Sequence, residues 1–101
     1  MVSKYDKERW RAVVGYDGKY YVSDHGRVKN RKRLLKPQFN KRFRYWQIML
    51  YDNAGKNKMW SVARLVALHF IDQPVTDKKM YVVHIGDTLD NYYKNLTWEE
   101  R

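Results

Sequence analysis

The sequence predicts a small α+β protein: an antiparallel, strand-rich first half, then a region with one clear helix. Two patterns carry this. Short alternating runs broken by Gly, Asp and Asn turn signals fill the first half, and one ten-residue segment, Ser61 to Phe70, repeats its apolar residues at helical spacing. A length of 101 residues adds a bound: one domain, or one small domain with an arm, around a thin core.

The elements follow in order. Asp17-Gly18 is a turn signal, and Lys19-Tyr20-Tyr21-Val22-Ser23 reads as the strand after it. Asp24-His25-Gly26 turns the chain, with His25 expected as a solvent-exposed loop residue, and Arg27 to Leu35 runs on as a second strand. On such a strand Arg27, Lys29, Arg31 and Arg33 share one face, while Val28 and Leu34 point to the other. Pro37 closes it. In a third strand, Arg44 to Tyr51, Trp46, Ile48 and Leu50 line one side, and Tyr45, Gln47, Met49 and Tyr51 the other. Asp52 to Lys56 forms a hairpin loop and the chain returns through Lys58 to Val62.

Ser61 is placed to cap the helix, whose apolar positions are Val62, Leu65, Val66 and His69. The helix stops before Asp72-Gln73-Pro74, since a residue preceding proline avoids helical geometry. His69 is expected to be a satisfied boundary histidine. Met80 to His84 forms a short strand, Ile85-Gly86-Asp87 turns, and a helical turn through Asn91 to Asn95 leads into Leu96-Thr97-Trp98.

Charge points to a partner. The net charge is +10, and residues 1–50 carry all of it, with 14 Lys/Arg against four Asp/Glu; the second half has seven of each. Between Arg27 and Arg44 nine of 18 residues are cationic and none is acidic. Such a density repels itself unless a polyanion faces it. Nucleic acid is the leading partner, with Arg27, Lys29, Arg31, Arg33, Lys36, Lys41, Arg42 and Arg44 as phosphate contacts and Arg64 as a weaker one. Asn30, Gln38, Asn40 and above all Gln47 are candidate base readers. The plainer alternative is a solubilising face.

Other classes find no support. The absence of cysteine excludes disulfides, thiolate metal sites and cysteine nucleophiles, and it fits a reducing compartment. His25, His69 and His84 lack zinc-ligand spacing, and there is no phosphate-cradling glycine loop or nucleophile elbow. The longest apolar stretch, Leu65 to Ile71, is too short to span a bilayer, so no membrane partner is expected. Met1 to Asp6 has no apolar run behind it, so no secretory leader is expected.

Several segments resemble a known family. Trp10-Arg-Ala-Val-Val-Gly15-Tyr-Asp-Gly18, continuing through Tyr21-Val-Ser23-Asp-His-Gly26-Arg-Val28, resembles the nuclease-associated DNA-binding module that precedes the catalytic region of phage and intron HNH homing endonucleases. Arg64-Leu-Val-Ala67-Leu-His-Phe70-Ile-Asp-Gln-Pro74 and Val82-Val-His84-Ile-Gly86-Asp87, running on to Asn95-Leu96-Thr-Trp98, are similar to the catalytic region itself. The resemblance implies a basic β-rich DNA-binding module over residues 1–55 and an HNH-like region over 56–101, truncated at its C-terminal end. It also implies a ββα-metal architecture, double-stranded DNA as partner, and a nucleic-acid-associated, cytoplasmic place in a bacterial host.

In that family a histidine deprotonates water beside a divalent cation, Mg²⁺ or Mn²⁺, and an asparagine ties the loop together. His84 matches the histidine and Asn95 the asparagine. Val83 stands where the family has an oxygen ligand, Ala63 where a histidine opens the helix motif, and the last ligand would fall beyond Arg101. The expectation is a DNA-binding protein without nuclease activity, binding no metal and needing no cofactor. The alternatives are an active metal-dependent HNH nickase with His84 as its catalytic base, or an interaction protein for a host protein or ribonucleoprotein. The last would present Trp60, Tyr81, Tyr92, Tyr93 and Trp98.

Overall fold

The computed structural model describes residues 7–100; Met1 to Asp6, read above for a leader, and Arg101 lie outside them. Three antiparallel sheets pack around one helix. β1 (Trp10–Ala12), β2 (Tyr20–Ser23) and β3 (Val28–Asn30) form the first sheet, in that order. β4 (Gln38–Asn40), β5 (Tyr45–Tyr51) and β6 (Asn57–Ser61) form the second, and β7 (Met80–His84) pairs with β8 (Leu96–Glu100) in the third.

The helix α1 spans Val62–Phe70, and the Ser61 side chain accepts the Arg64 amide as its N-cap. It packs on β2, β5, β6, β7 and β8. Val62, Ala63, Leu65, Val66 and Ala67 form its buried stripe. Leu65 and Val66 are fully buried, and burial of each contributes roughly 1.5–3 kcal/mol. The same core takes Val13, Val22 and Val28 from the first sheet, Ile48 and Leu50 from the second, and Leu96 from the third. The boundary expected between residues 55 and 56 therefore falls inside the β5–β6 connection, and both sides share a core.

Two expectations are corrected. The second strand does not run from Arg27 to Leu35. Asn30 Oδ1 accepts the amides of Lys32 and Arg33, both at 2.8 Å, and the Asn30 amide donates to Arg33 O at 3.0 Å. This Asx-type turn reverses the chain, so Lys29 bridges Leu34 and Leu35 returns an amide bond to Val28. The cations therefore crowd a turn, and no flat row of Arg27, Lys29, Arg31 and Arg33 exists. His25 is half-buried: its ring packs edge-on against Tyr92 at 5.3 Å, and Glu8 and Asp24 lie within 4 Å.

His69 is a satisfied boundary residue, with Nδ1 2.7 Å from Leu65 O and Nε2 accepting the Val14 amide at 3.0 Å. Tyr92 and Trp98, considered above for a partner surface, are buried. Among the described residues no helix is long and apolar enough to cross a membrane.

Candidate nucleic-acid interface

Two basic turns stand out from the sheets. The first, Asn30 to Leu34, walls a cavity of about 500 Å³ with Trp10, Tyr21 and Lys29. Lys29 Nζ lies 4.2 Å from the Trp10 ring centroid, a cation–π contact that fixes its amine at the cavity mouth. The second is the β4–β5 connection, Lys41 to Arg44, where all four side chains are exposed. Asn40 holds it: its carbonyl accepts the Arg44 amide at 2.7 Å, and its Oδ1 accepts the Phe43 amide at 3.0 Å. Arg44 has φ +56°, a left-handed conformation that costs a non-glycine residue roughly 1–2 kcal/mol. Glycine would close this turn at lower cost; arginine keeps a cation at it.

The proposed phosphate contacts differ in how free they are. Arg27 is held by both oxygens of Glu8, its Nε donating at 2.9 Å. Those bonds raise the guanidinium pKa further and hold the Glu8 carboxyl below its ordinary 4.5. The Ser23 hydroxyl assists, and burial works against the shift. Arg31 Nε donates to Gly18 O at 3.1 Å. Among the described residues no ion pair involves Lys29, Arg33, Lys36, Lys41, Arg42 or Arg44. Arg64 is exposed, its guanidinium 5.6 Å from the Trp98 ring.

The second of these turns joins β4 to β5 of the second sheet. Strand alternation sends Trp46, Ile48 and Leu50 inward, so Tyr45, Gln47, Met49 and Tyr51 occupy the opposite face. The register adds Gln38 opposite Gln47, Asn40 opposite Tyr45 and Met59 opposite Met49. Asn40 Nδ2 donates to Gln47 Oε1 at 3.2 Å, which orients both amides. Three amides share this sheet face, and Asn40 gives its side-chain oxygen to Phe43 and one N–H to Gln47. Gln38 and Gln47 are therefore the ones placed to offer the donor–acceptor pairing that reads adenine in a major groove.

His84 ends β7. Val82 packs on the core, so alternation puts His84 on the same face and Val83 on the other, opposite Thr97. His84 Nε2 lies 2.8 Å from Asn91 Oδ1; with that oxygen accepting, Nε2 carries the proton and Nδ1 the lone pair. Asn91 is buried, and Gly26 (φ +88°) presses against it: a Cβ on Gly26 would stand 2.8 Å from the Asn91 Cβ. Asn95 binds the loop internally, its Oδ1 accepting the Gly86 amide at 2.9 Å. Its Nδ2 donates to Asp87 O at 2.9 Å and Asp90 O at 2.8 Å. A cavity of about 340 Å³ beside His84 is lined by Phe43, Arg44, Tyr45, Ser61, Val82 and Thr88 among others.

The divalent cation implied by the HNH resemblance does not fit this donor set. Val83 has no lone pair to offer. Each nearby carboxylate gives one oxygen to the loop: Asp87 Oδ1 accepts the Leu89 amide at 2.9 Å, and Asp90 Oδ1 the Tyr92 amide at 3.1 Å. Among the described residues no three His, Asp or Glu side chains converge on one point. A hard cation needs several oxygens around it, and His84 alone supplies none.

The sequence and fold are similar to those of known proteins. Residues 8–51 match the NUMOD4 motif. The chain is 37% identical over 92 residues to the DNA endonuclease I-HmuI of Bacillus phage SP01, covering 88% of this chain and 51% of that protein. Two uncharacterised HNH endonucleases of Acanthamoeba polyphaga mimivirus are 34% and 36% identical over 94 residues. They are matched over 90% and 89% of this chain, and over 23% and 26% of their own lengths. The solved structure of the HNH homing endonuclease I-HmuI, described for DNA binding and cleavage, superposes with a TM-score of 0.80 at 36% identity. That match covers 91% of this chain and 52% of the other. The chain is thus homologous to the HNH homing endonucleases and carries a NUMOD4 motif, on a small α+β fold that matches theirs. It spans about half the length of I-HmuI and about a quarter of the viral relatives.

Sequence reasoning missed three members of the site. Asn91 was visible only as one letter of the family stretch, Trp10 as part of the module, and Phe43 carried no pattern. Their places depend on a contact across 7 residues for Asn91–His84, on cross-strand packing within the first sheet for Trp10, and on a cavity shared by the second and third sheets for Phe43.

Proposed function

We propose that the chain is a duplex-DNA-binding protein built on an HNH homing-endonuclease scaffold and working without the hydrolytic chemistry of a divalent cation. The observation that carries this reading is the donor set at His84. A basic, amide-rich surface is retained beside a histidine whose neighbour, Val83, cannot ligate a metal. The cations of the two turns, Lys29, Arg33, Lys36, Lys41, Arg42 and Arg44, grip phosphates and supply affinity without sequence information. The amides of Gln38 and Gln47 face base edges. The nucleic-acid-associated location belongs to the same reading.

A labelled duplex titrated across roughly 50–300 mM salt tests it. With about four to eight phosphates neutralised, log affinity falls against log salt with a slope of about −4 to −7. Supercoiled plasmid incubated with Mg²⁺ or Mn²⁺ stays supercoiled. A second reading, a metal-dependent nickase, is favoured by the retained His84 and by relatives named endonucleases; nicking lost in His84→Ala establishes it. Absence of duplex binding at low salt assigns the basic turns to a protein or ribonucleoprotein partner instead.

A further inference from the structure

We propose that Phe43 is a wedge that enters a base step of duplex DNA beside the His84 cavity; the inference rests on the duplex-binding reading above. Phe43 is 67% exposed at the β4–β5 turn. A single exposed apolar side chain needs no explanation, but the backbone beneath this one is pinned. The amides of Phe43 and Arg44 are both fixed to Asn40, at 3.0 Å and 2.7 Å, and Asn40 is tied in turn to Gln47 in the sheet. The backbone under the ring is therefore set before any partner arrives.

The surroundings choose the partner. Lys41 and Arg42 precede the ring and Arg44 follows it, all exposed, with Arg42 Cζ 5.2 Å from the ring centroid. No acidic residue occurs from Arg27 to Arg44. A ring between cations matches a base step between its two phosphates, whereas a protein pocket for phenylalanine would have to bury those charges. Apolar wedges of this kind part stacked bases and kink the duplex, at least cost where a pyrimidine precedes a purine. Phe43, Arg44 and His84 line one cavity, so the opened step and its phosphate lie next to the histidine.

Duplexes carrying a single 2-aminopurine at successive positions, half within TA or CA steps, read base unstacking directly; anisotropy on the same samples reads binding. The wild-type chain is expected to raise 2-aminopurine fluorescence several-fold, most strongly at the pyrimidine–purine steps. Phe43→Ala abolishes the rise while keeping its melting temperature and a salt slope within about one unit of wild type. Phe43→Leu, an apolar side chain of another shape, keeps most of the rise. Binding with no rise, or a rise unchanged in Phe43→Ala, overturns the wedge and leaves the duplex-binding reading standing, with a protein contact as the alternative for the ring. No binding by the wild type overturns both.

Discussion

Gly26 faces Asn91 with no space for a Cβ between them, joining the turn after β2 to the loop whose Asn91 binds His84. The contact has no room for a side chain, and the φ of +88° at Gly26 disfavours one independently. Gly26→Ala must therefore both adopt a left-handed conformation and displace Asn91, at a combined cost of about 2–4 kcal/mol. The expected result is a melting temperature lower by more than roughly 10 °C, since about 1 kcal/mol moves a domain of this size by about 4–8 °C. A variant melting within a degree or two of wild type would show that the turn and the loop do not depend on each other.

Glu8 and Arg27 set stability and binding against one another. Arg27's hydrogen bonds hold the Glu8 carboxyl below its ordinary 4.5 against the opposing effect of burial. A carboxyl depressed by folding stabilises fully above its unfolded value, and the gain is lost as pH falls through the folded one. The melting temperature of wild type should therefore exceed that of Glu8→Gln by a few degrees at pH 7, with the difference closing as pH falls below 4.5. Arg27 is half exposed, so screening keeps the effect small. Freed from the carboxylate, Arg27 can neutralise a phosphate: Glu8→Gln should bind duplex more tightly, with a salt slope steeper by about 0.9. Weaker binding would contradict the assignment of Arg27.

The helix and the β5–β6 hairpin were legible because periodicity and capping act locally: Ser61, Val62, Leu65 and Val66 sit where the pattern puts them. The Arg27–Leu35 strand misled because alternating cations mimic period two. What reverses the chain is one side chain, Asn30, accepting two amides at once. The three-residue strands β1 and β4 had no periodicity to display, and only their partners β2 and β5 make them strands. At the site, His84 and Asn95 came from the family resemblance, with no contribution from spacing or composition. Asn91 and Phe43 acquire their roles through tertiary contact, which a linear pattern does not encode.

The amide face makes a prediction about sequence preference. Gln47 is cross-strand partner to Gln38 and accepts a hydrogen bond from Asn40, so its amide is held in one orientation. If it pairs with adenine, Gln47→Ala should lose about 1–3 kcal/mol of discrimination at one A·T position. Affinity for unrelated duplexes should change little and the salt slope not at all, because no phosphate contact is removed. Selection of bound sequences from a random pool, wild type beside the variant, reads the difference. A uniform loss across all sequences would make Gln47 a structural residue.

The donor set at His84 predicts indifference to divalent cations. A ligand that binds only the folded chain raises its stability by about 2.7 kcal/mol at one hundred times its dissociation constant, a shift of roughly 10–20 °C here. Millimolar Mg²⁺ or Mn²⁺ should leave the melting temperature of the wild-type chain unmoved beyond the effect of equal ionic strength. Val83→Asp adds a carboxylate next to His84 in sequence but on the opposite face of β7, across from Thr97. Among the described residues no cluster of carboxylates and histidines converges to complete a site around it, so a single added carboxylate should still give no cation-dependent shift. A shift in the wild type would mean that the chain holds a cation after all, and the nickase reading would then take precedence.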